Sequence, residues 1–354
     1  MKQVFETVTH VREALNDVGE NRPPTQGASA AFRRRIGNAL TLMAREPEIL
    51  LFALLQWLAV ALGYFLWVQM LDWIPDEVWK SAVENDGGSV ADYVLLAWSF
   101  LCVGVAAFPV GLLTGAMGAA HIQHRSGGES TVAGCLRMVV PRAGTLWAFH
   151  WADGWITVTQ IVERLPSRDD VTHPGRRAVS EALYYAWKLG TAGMLPNLLA
   201  GKGLLESGKA SIGFVRKRLI DVALLRAGYS TMCWIVGISA WLAMLVLVKA
   251  VDIVPPNQEV YAYVYEIYAW AALPVLVAVG IVMLLLRPVY VIALGALYAD
   301  YREEIGETTE VATVSRRSAR AFVLFLFLVV AVALVYWFRE PLGVMNWLAV
   351  PYHD

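Results

Sequence analysis

Long apolar runs separated by short charged segments fill most of this chain of 354 residues. A run of about 17–25 apolar residues is long enough for a helix to cross the hydrocarbon core of a bilayer. The pattern therefore predicts an all-α fold, a polytopic transmembrane helical bundle of about seven spans. We place these spans at residues 49–70, 93–120, 143–162, 182–200, 229–248, 263–286 and 321–338.

The composition separates this chain from soluble domains. Hydrophobic residues make up 57% of it and charged residues 17%, whereas a soluble domain averages about 45–50% and about 25%. The net charge of −1 offers no field that attracts nucleic acid, so no nucleic-acid partner is expected. The 3 cysteines stand far apart in or beside apolar runs, which is typical of small buried side chains rather than disulfides.

The lysines and arginines concentrate on one side of the predicted membrane. If the N-terminus lies in the cytoplasm, the inner segments hold 20 of the 29 basic residues and the outer segments hold 7. Because basic loops stay in the cytoplasm during insertion, we expect a multi-pass protein of the cell inner (cytoplasmic) membrane with its N-terminus inside. Seven crossings would leave the C-terminus on the extracytoplasmic side.

Three regions follow from this pattern. Residues 1–25 are predicted to form an amphipathic helix and a linker, which could lie on the membrane or bind another protein. Residues 26–320 are predicted to form a six-span membrane domain with amphipathic interfacial helices on the cytoplasmic side. Residues 321–354 are predicted to form a seventh span and an extracytoplasmic tail.

The inner segments share one plan, a small or polar start followed by a helix with an apolar face and a basic face. Basic residues at the bilayer surface gain about 1 kcal/mol each from anionic headgroups. Such helices could orient the spans, shape the membrane, or form a docking floor for a protein partner. The predicted contacts to lipid headgroups or a partner are Arg33, Arg34, Arg35, Arg216, Lys217 and Arg218.

The third predicted span is the most polar. His150 and Asp153 are three residues apart on one helical face, and Thr157 is next along that face. Because ionisable groups inside a membrane are costly, they normally pair with each other or face water. His150 and Asp153 are therefore expected to pair, and Lys188 in the fourth span is a further partner for Asp153. Three interpretations of this candidate intramembrane polar site stay open. It could fix helix packing, it could lie hydrated at the membrane interface, or it could serve transport or catalysis.

Two weaker signals remain. Pro196 and Asn197 predict a break in the fourth span, and a broken helix can mark a transport site. His121 and His124 could face one way as metal or haem ligands, but no Cys or carboxylate within that motif completes a set. Phosphate-loop, metalloprotease and hydrolase motifs do not occur in the sequence. No cofactor and no catalytic residue is therefore predicted.

A family resemblance rests on residues 186–211, where a span with a Trp and a Pro is followed by a Gly-rich turn and a Glu-Ser pair that opens a basic helix. With residues 45–52 and 296–302, this segment resembles uncharacterised bacterial six-span membrane proteins. It is also similar to the membrane domains attached to some glycerophosphodiester phosphodiesterases. The resemblance covers about residues 28–305 and implies an architecture without catalytic residues. The N-terminal helix and the seventh span depart from it.

The function favoured by these features is a non-catalytic membrane subunit. Interfacial helices and extensions at both ends suit a scaffold, an assembly factor or an accessory component of an inner-membrane complex, and such a component could also shape the membrane. Its partners would be membrane lipids and other proteins. The alternative is a transporter or permease for a small solute or lipid that uses the polar third span. An intramembrane enzyme ranks third, because it would need a nucleophile or metal set that the sequence does not supply.

Overall fold

The computed structural model describes residues 26–71, 90–164, 174–250, 260–306 and 317–337. Every regular element within these ranges is helical, which confirms the predicted all-α class. The predicted N-terminal helix of residues 1–25 and the tail beyond residue 337 lie outside the described residues. The helices are α1 (Gln26–Arg45), α2 (Glu48–Leu71), α3 (Val90–Arg125), α4 (Val132–Val139), α5 (Ala143–Arg164), α6 (Pro174–Gly190), α7 (Met194–Leu199), α8 (Leu204–Lys217), α9 (Leu219–Ala250), α10 (Val260–Glu304) and α11 (Arg317–Trp337), with a 3₁₀ turn at Val140–Arg142.

Four of these helices are long and apolar enough to cross a membrane. They coincide with the first, second, fifth and sixth predicted spans. The length and composition of these four helices are those of a multi-pass membrane protein. Within the described ranges, the helix at the third predicted span is less apolar than a candidate span, and the helices at the fourth, Pro174–Gly190 and Met194–Leu199, are too short. Helix α11 at the seventh predicted span, Arg317–Trp337, is an apolar helix of 21 residues, and its crossing of the membrane stays a prediction. The four candidate spans are Glu48–Trp67, Leu96–Arg125, Leu219–Leu247 and Pro274–Glu304.

The bundle is organised around α3 and α10. Helix α3 packs against α2 and α5, and α10 packs against α9, α2 and α1. The main buried cluster draws on most of these helices, and Phe52, Leu146, Phe214 and Leu297 are among its fully buried members. It lies toward the end of the bundle where α1, α8 and the C-terminal ends of α3 and α10 meet.

Ion pairs connect the helices to one another at that end of the bundle. Arg35 of α1 bonds to Asp300 at 3.2 Å, and Arg125 at the end of α3 bonds to Glu303 at 2.5 Å. Arg218, between α8 and α9, pairs with Glu304. We call this region the basic end and define it by these residues. The basic segments that the sequence assigned to one side of the membrane therefore meet at one end of the fold.

Two helices extend further than the sequence predicted. Helix α9 begins at Leu219 rather than residue 229, because the basic helix before it ends at Lys217. Helix α10 continues to Glu304, well past residue 286, with Pro288 inside it. A proline interior to a membrane helix is tolerated where neighbouring helices and side chains satisfy the freed backbone groups. The sixth predicted span ends at residue 286 because a charged residue and a proline, Arg287 and Pro288, follow it. The helix continues through both residues.

Candidate functional site

Glycines of α3 allow α5, which carries the predicted polar site, to lie close against it. A Cβ at Gly104 would come within 2.6 Å of Trp151, and one at Gly111 within 3.1 Å of His150 Nδ1. The indole of Trp147 donates to the Gly104 carbonyl at 2.8 Å. Small residues at a helix contact permit this close approach. The rotation of α5 is thereby fixed, with His150 turned toward α3.

Asp153 on α5 binds two side chains from the end of α6. Lys188 Nζ lies 2.6 Å from Asp153 Oδ1, and the indole nitrogen of Trp187 donates to the same oxygen at 3.1 Å. The side chains of Lys188 and Asp153 are 12% and 26% exposed. The contact with Lys188 that the sequence offered is therefore present, and it joins α5 to α6. Trp187, next to Lys188 in the sequence, completes this contact.

His150 and Thr157 bond to the backbone of their own helix instead. His150 is 7% exposed, and its Nδ1 donates to the Leu146 carbonyl at 2.9 Å. Thr157 donates to the Asp153 carbonyl at 2.6 Å. The described residues show no hydrogen bond between His150 and Asp153, which lie near enough only to act on each other electrostatically. The ammonium of Lys188 on α6 contacts the Asp153 carboxylate instead. A hydrogen bond between two charged groups is stronger than one to a neutral imidazole.

The sequence interpretation missed a second polar group, centred on Thr114 of α3. Gln56 of α2 donates to Thr114 Oγ1 at 2.5 Å, and Arg287 of α10 donates to the same atom at 3.3 Å. Gln56 is fully buried and Thr114 is 4% exposed. The Nε of Arg287 is buried without a hydrogen-bond partner in the described part of the chain. An arginine interrupting a long apolar run was the available signal.

Positive charge exceeds negative charge around this group. Arg226 of α9 donates to the Tyr290 hydroxyl at 3.5 Å. Arg226 and Arg287 both lie near enough to act electrostatically on Lys188. The region thus gathers three cations around one carboxylate, Asp153, among the residues that the structure describes. An excess of positive charge suits an anion or hydrogen-bond acceptors better than a cation.

The predicted break at Pro196 and Asn197 is displaced. Helix α6 ends at Gly190 and α7 begins at Met194, so the chain turns before Pro196, which sits in the first turn of α7. Proline is tolerated there because its missing N–H has no helical acceptor. Asn197 is fully buried; its Nδ2 donates to the Gly193 carbonyl at 2.8 Å, and its Oδ1 accepts from Tyr298 at 2.6 Å. Asn197 therefore holds the turn closed against α10.

The two histidines of α3 have different surroundings. His124 Nδ1 lies 3.4 Å from a carboxylate oxygen of Glu46, whereas both ring nitrogens of His121 are buried without a hydrogen bond in the described ranges. Over those same ranges no three His, Cys, Asp or Glu side chains gather as a metal site. Both histidines instead line a cavity of about 520 Å³ at the basic end, together with several arginines.

The six basic residues predicted to contact headgroups divide into two kinds. Arg35 and Arg218 form the ion pairs with α10 described above, and Lys217 lies over the Tyr301 ring at 5.9 Å. Arg33, Arg34 and Arg216 are exposed, and so is Lys217 despite its ring contact. Only some of the predicted set is thus oriented toward the outside of the fold, and the rest connects helices.

Comparison of the chain with family models, with curated proteins and with solved structures gives no match. The resemblance to bacterial six-span membrane proteins therefore stays a prediction from the sequence.

Proposed function

We propose that this chain is a non-catalytic integral membrane subunit, a scaffold, assembly or accessory component of an inner-membrane complex. The observation that carries the proposal is the contact of Asp153 with Lys188 and Trp187. A carboxylate bound in this way joins two helices and is not available for handling a solute. The turn between α6 and α7 favours the same conclusion. Both the Nδ2 and the Oδ1 of the Asn197 side chain are hydrogen-bonded within the fold.

The proposed topology has seven crossings, with the N-terminus in the cytoplasm and the C-terminus outside. It adds α5, the α6–α7 pair and α11 to the four candidate spans. The distribution of basic residues along the sequence supports this orientation. The meeting of Arg35, Arg125 and Arg218 at one end of the bundle supports it as well.

A protein partner is proposed for the apolar surface of α9. Between residues 226 and 247 no side chain of α9 is buried, and the helix packs mainly against α10. Trp234, Ile235 and Val246 are 62%, 54% and 68% exposed. Lipid can cover such a face, and so can the helices of a second protein, which associate through van der Waals packing.

Photo-crosslinking tests the partner directly. A photo-reactive amino acid replaces Ile235 in the tagged full chain, and the same replacement at Leu62 of α2, which is 57% exposed, serves as the matched lipid-facing control. We expect a protein adduct at position 235 in stoichiometric yield and mainly lipid adducts at position 62. Lipid adducts at both positions, together with a monodisperse monomer and no co-purifying protein after mild detergent extraction, would reject the subunit proposal.

A permease for an anionic solute or lipid is the second candidate function. It is favoured by the excess of cations around Asp153 and by the buried Arg287 Nε that lacks a partner among the described residues. Flux of an anion into proteoliposomes that contain the purified chain distinguishes the two functions. Flux that disappears in Arg287→Gln would support transport, and no flux above that of empty liposomes would reject it.

A further inference from the structure

The cavity at the basic end has the size and the walls of a small-molecule site. It measures about 520 Å³ and opens between α1, α3 and α10, within the range of about 300–1,000 Å³ that such sites occupy. Its floor is apolar, formed by Ala39, Leu42, Ile292 and Ala296. The other lining side chains are mostly basic or amide-bearing, so a ligand with one charged end and one less polar end would fit it.

The lining carries more positive charge than its own carboxylate neutralises. Four arginines line it, whereas Asp300 is the one acidic side chain among its lining residues. Asp300 is already shared, since Arg35 lies 3.2 Å and Arg125 3.7 Å from it. The remaining two arginines, Arg34 and Arg45, are exposed and form no ion pair with any residue that the structure describes. Positive charge is therefore left over at the mouth of the cavity.

His121 adds a polar group inside the cavity. Its ring lies against α10, where a Cβ at Gly295 would come within 3.2 Å of it, and neither ring nitrogen is hydrogen-bonded within the described residues. Buried polar groups in folded proteins nearly always have a partner. An imidazole N–H donates well to an anionic oxygen, and the guanidinium groups of Arg34 and Arg45 supply the planar forks that suit phosphate.

We propose that this cavity binds a phosphate-bearing anion, with Arg34 and Arg45 contacting the phosphate and His121 donating to one of its oxygens. The apolar floor accepts the carbon skeleton next to the phosphate. The ligand is either the headgroup of an anionic lipid or a soluble phosphate ester, and the chemistry is shared by both. This inference does not depend on the subunit proposal, because a partner on α9 and a ligand at the basic end are separate surfaces.

The test uses the full chain in nanodiscs of phosphatidylcholine and two probes. One arm adds sn-glycerol 3-phosphate and follows the thermal unfolding temperature; the other replaces part of the lipid with phosphatidylglycerol and counts retained lipid by native mass spectrometry. The double variant Arg34→Gln/Arg45→Gln should weaken binding about ten-fold or more, because it removes two charge-assisted contacts. Arg33→Gln is the matched control, since Arg33 is exposed on the same helix but does not line the cavity.

Each result supports the proposal or overturns it. Saturable binding of glycerol phosphate identifies a soluble ligand, and retention of phosphatidylglycerol alone identifies a lipid. Equal losses in Arg33→Gln and the double variant would show a diffuse surface charge and reject the site, as would no binding in either arm. If the double variant unfolds, Ala296→Phe fills the cavity with its charges intact and must abolish binding; retained binding there would also reject the site.

Discussion

The two halves of α9 lie in different surroundings although they belong to one continuous helix. Val222 and Leu225, near the basic end, are 1% and 3% exposed, whereas Trp234 and Val246 in the far half are 62% and 68% exposed. The basic-end half packs within the main buried cluster. Among the described residues, α9 as a whole packs mainly against α10. Among the described residues, the packed core therefore lies toward the basic end of the bundle rather than at its centre.

A membrane explains why the far half can stay exposed. Lipid tails are as apolar as leucine side chains, so burial against protein provides no hydrophobic gain within the bilayer. In the proposed topology the basic end lies among headgroups and water, where apolar side chains must pack against one another. The short helices α4, α7 and α8 provide that cover there. Substitutions should therefore be costly at the basic end and mild in the far half.

The largest contrast is expected between Phe214→Ala and Trp234→Ala. Phe214 is fully buried and its ring lies 5.3 Å from the rings of Tyr298 and Tyr301. Its removal leaves a cavity and should lower the free energy of unfolding by about 3–5 kcal/mol. Trp234→Ala removes an exposed ring and should cost less than about 1 kcal/mol. Reversible unfolding in mixed SDS and maltoside micelles measures both values, and similar costs would refute the unequal core.

The second effect concerns the polar contact that joins α5 to α6. Lys188→Met leaves the Asp153 carboxylate without its cation and should destabilise the fold by about 3 kcal/mol in the same assay. The double variant Asp153→Asn/Lys188→Met should regain most of that loss, because no unpaired charge remains. Thr157→Val is the neighbouring control, since it removes only a bond within α5. A double variant no better than Lys188→Met would argue against a stabilising ion pair.

The positions of the long spans could be predicted from the sequence because they depend on local composition. The predicted span 49–70 matches α2, Glu48–Leu71, almost residue for residue. The charge pattern also placed the basic helices together. Both features come from the partition of apolar and charged groups between lipid and water, which a single segment determines for itself.

The side-chain partners could not be predicted in the same way. Asp153 lies three residues from His150 but pairs with Lys188, 35 residues further along the chain. That choice depends on the rotation of α5 against α3, which the glycines at 104 and 111 determine through close contacts. Arg287 was missed for a related reason. Its contact with Thr114 joins residues 173 apart in sequence, and no local pattern records such a pair.

A smaller effect is expected at the turn between α6 and α7. Tyr298→Phe removes the hydroxyl that donates to Asn197 Oδ1 at 2.6 Å and leaves a buried acceptor unsatisfied. The cost should be about 1–2 kcal/mol. Tyr301→Phe is the matched control, because the hydroxyl of Tyr301 has no hydrogen bond to the described residues and its loss should change little. If both variants match the wild type, the turn is held by packing rather than by this bond.

The smallest effect is a difference in thiol reactivity at the basic end. Cys135 of α4 is fully buried, and burial raises the pKa of its thiol to about 11, with Glu48 and Glu46 adding to the effect. Because the thiolate is the reactive form, Cys135 should resist maleimide at about pH 7.5 and react after unfolding in SDS. A cysteine introduced at exposed Ser126 should react in the native protein. Mass spectrometry of the labelled chain reads out both sites. Equal labelling of Cys135 and Ser126→Cys in the native state would mean that α4 opens readily, and the basic end would then be looser than its buried side chains indicate.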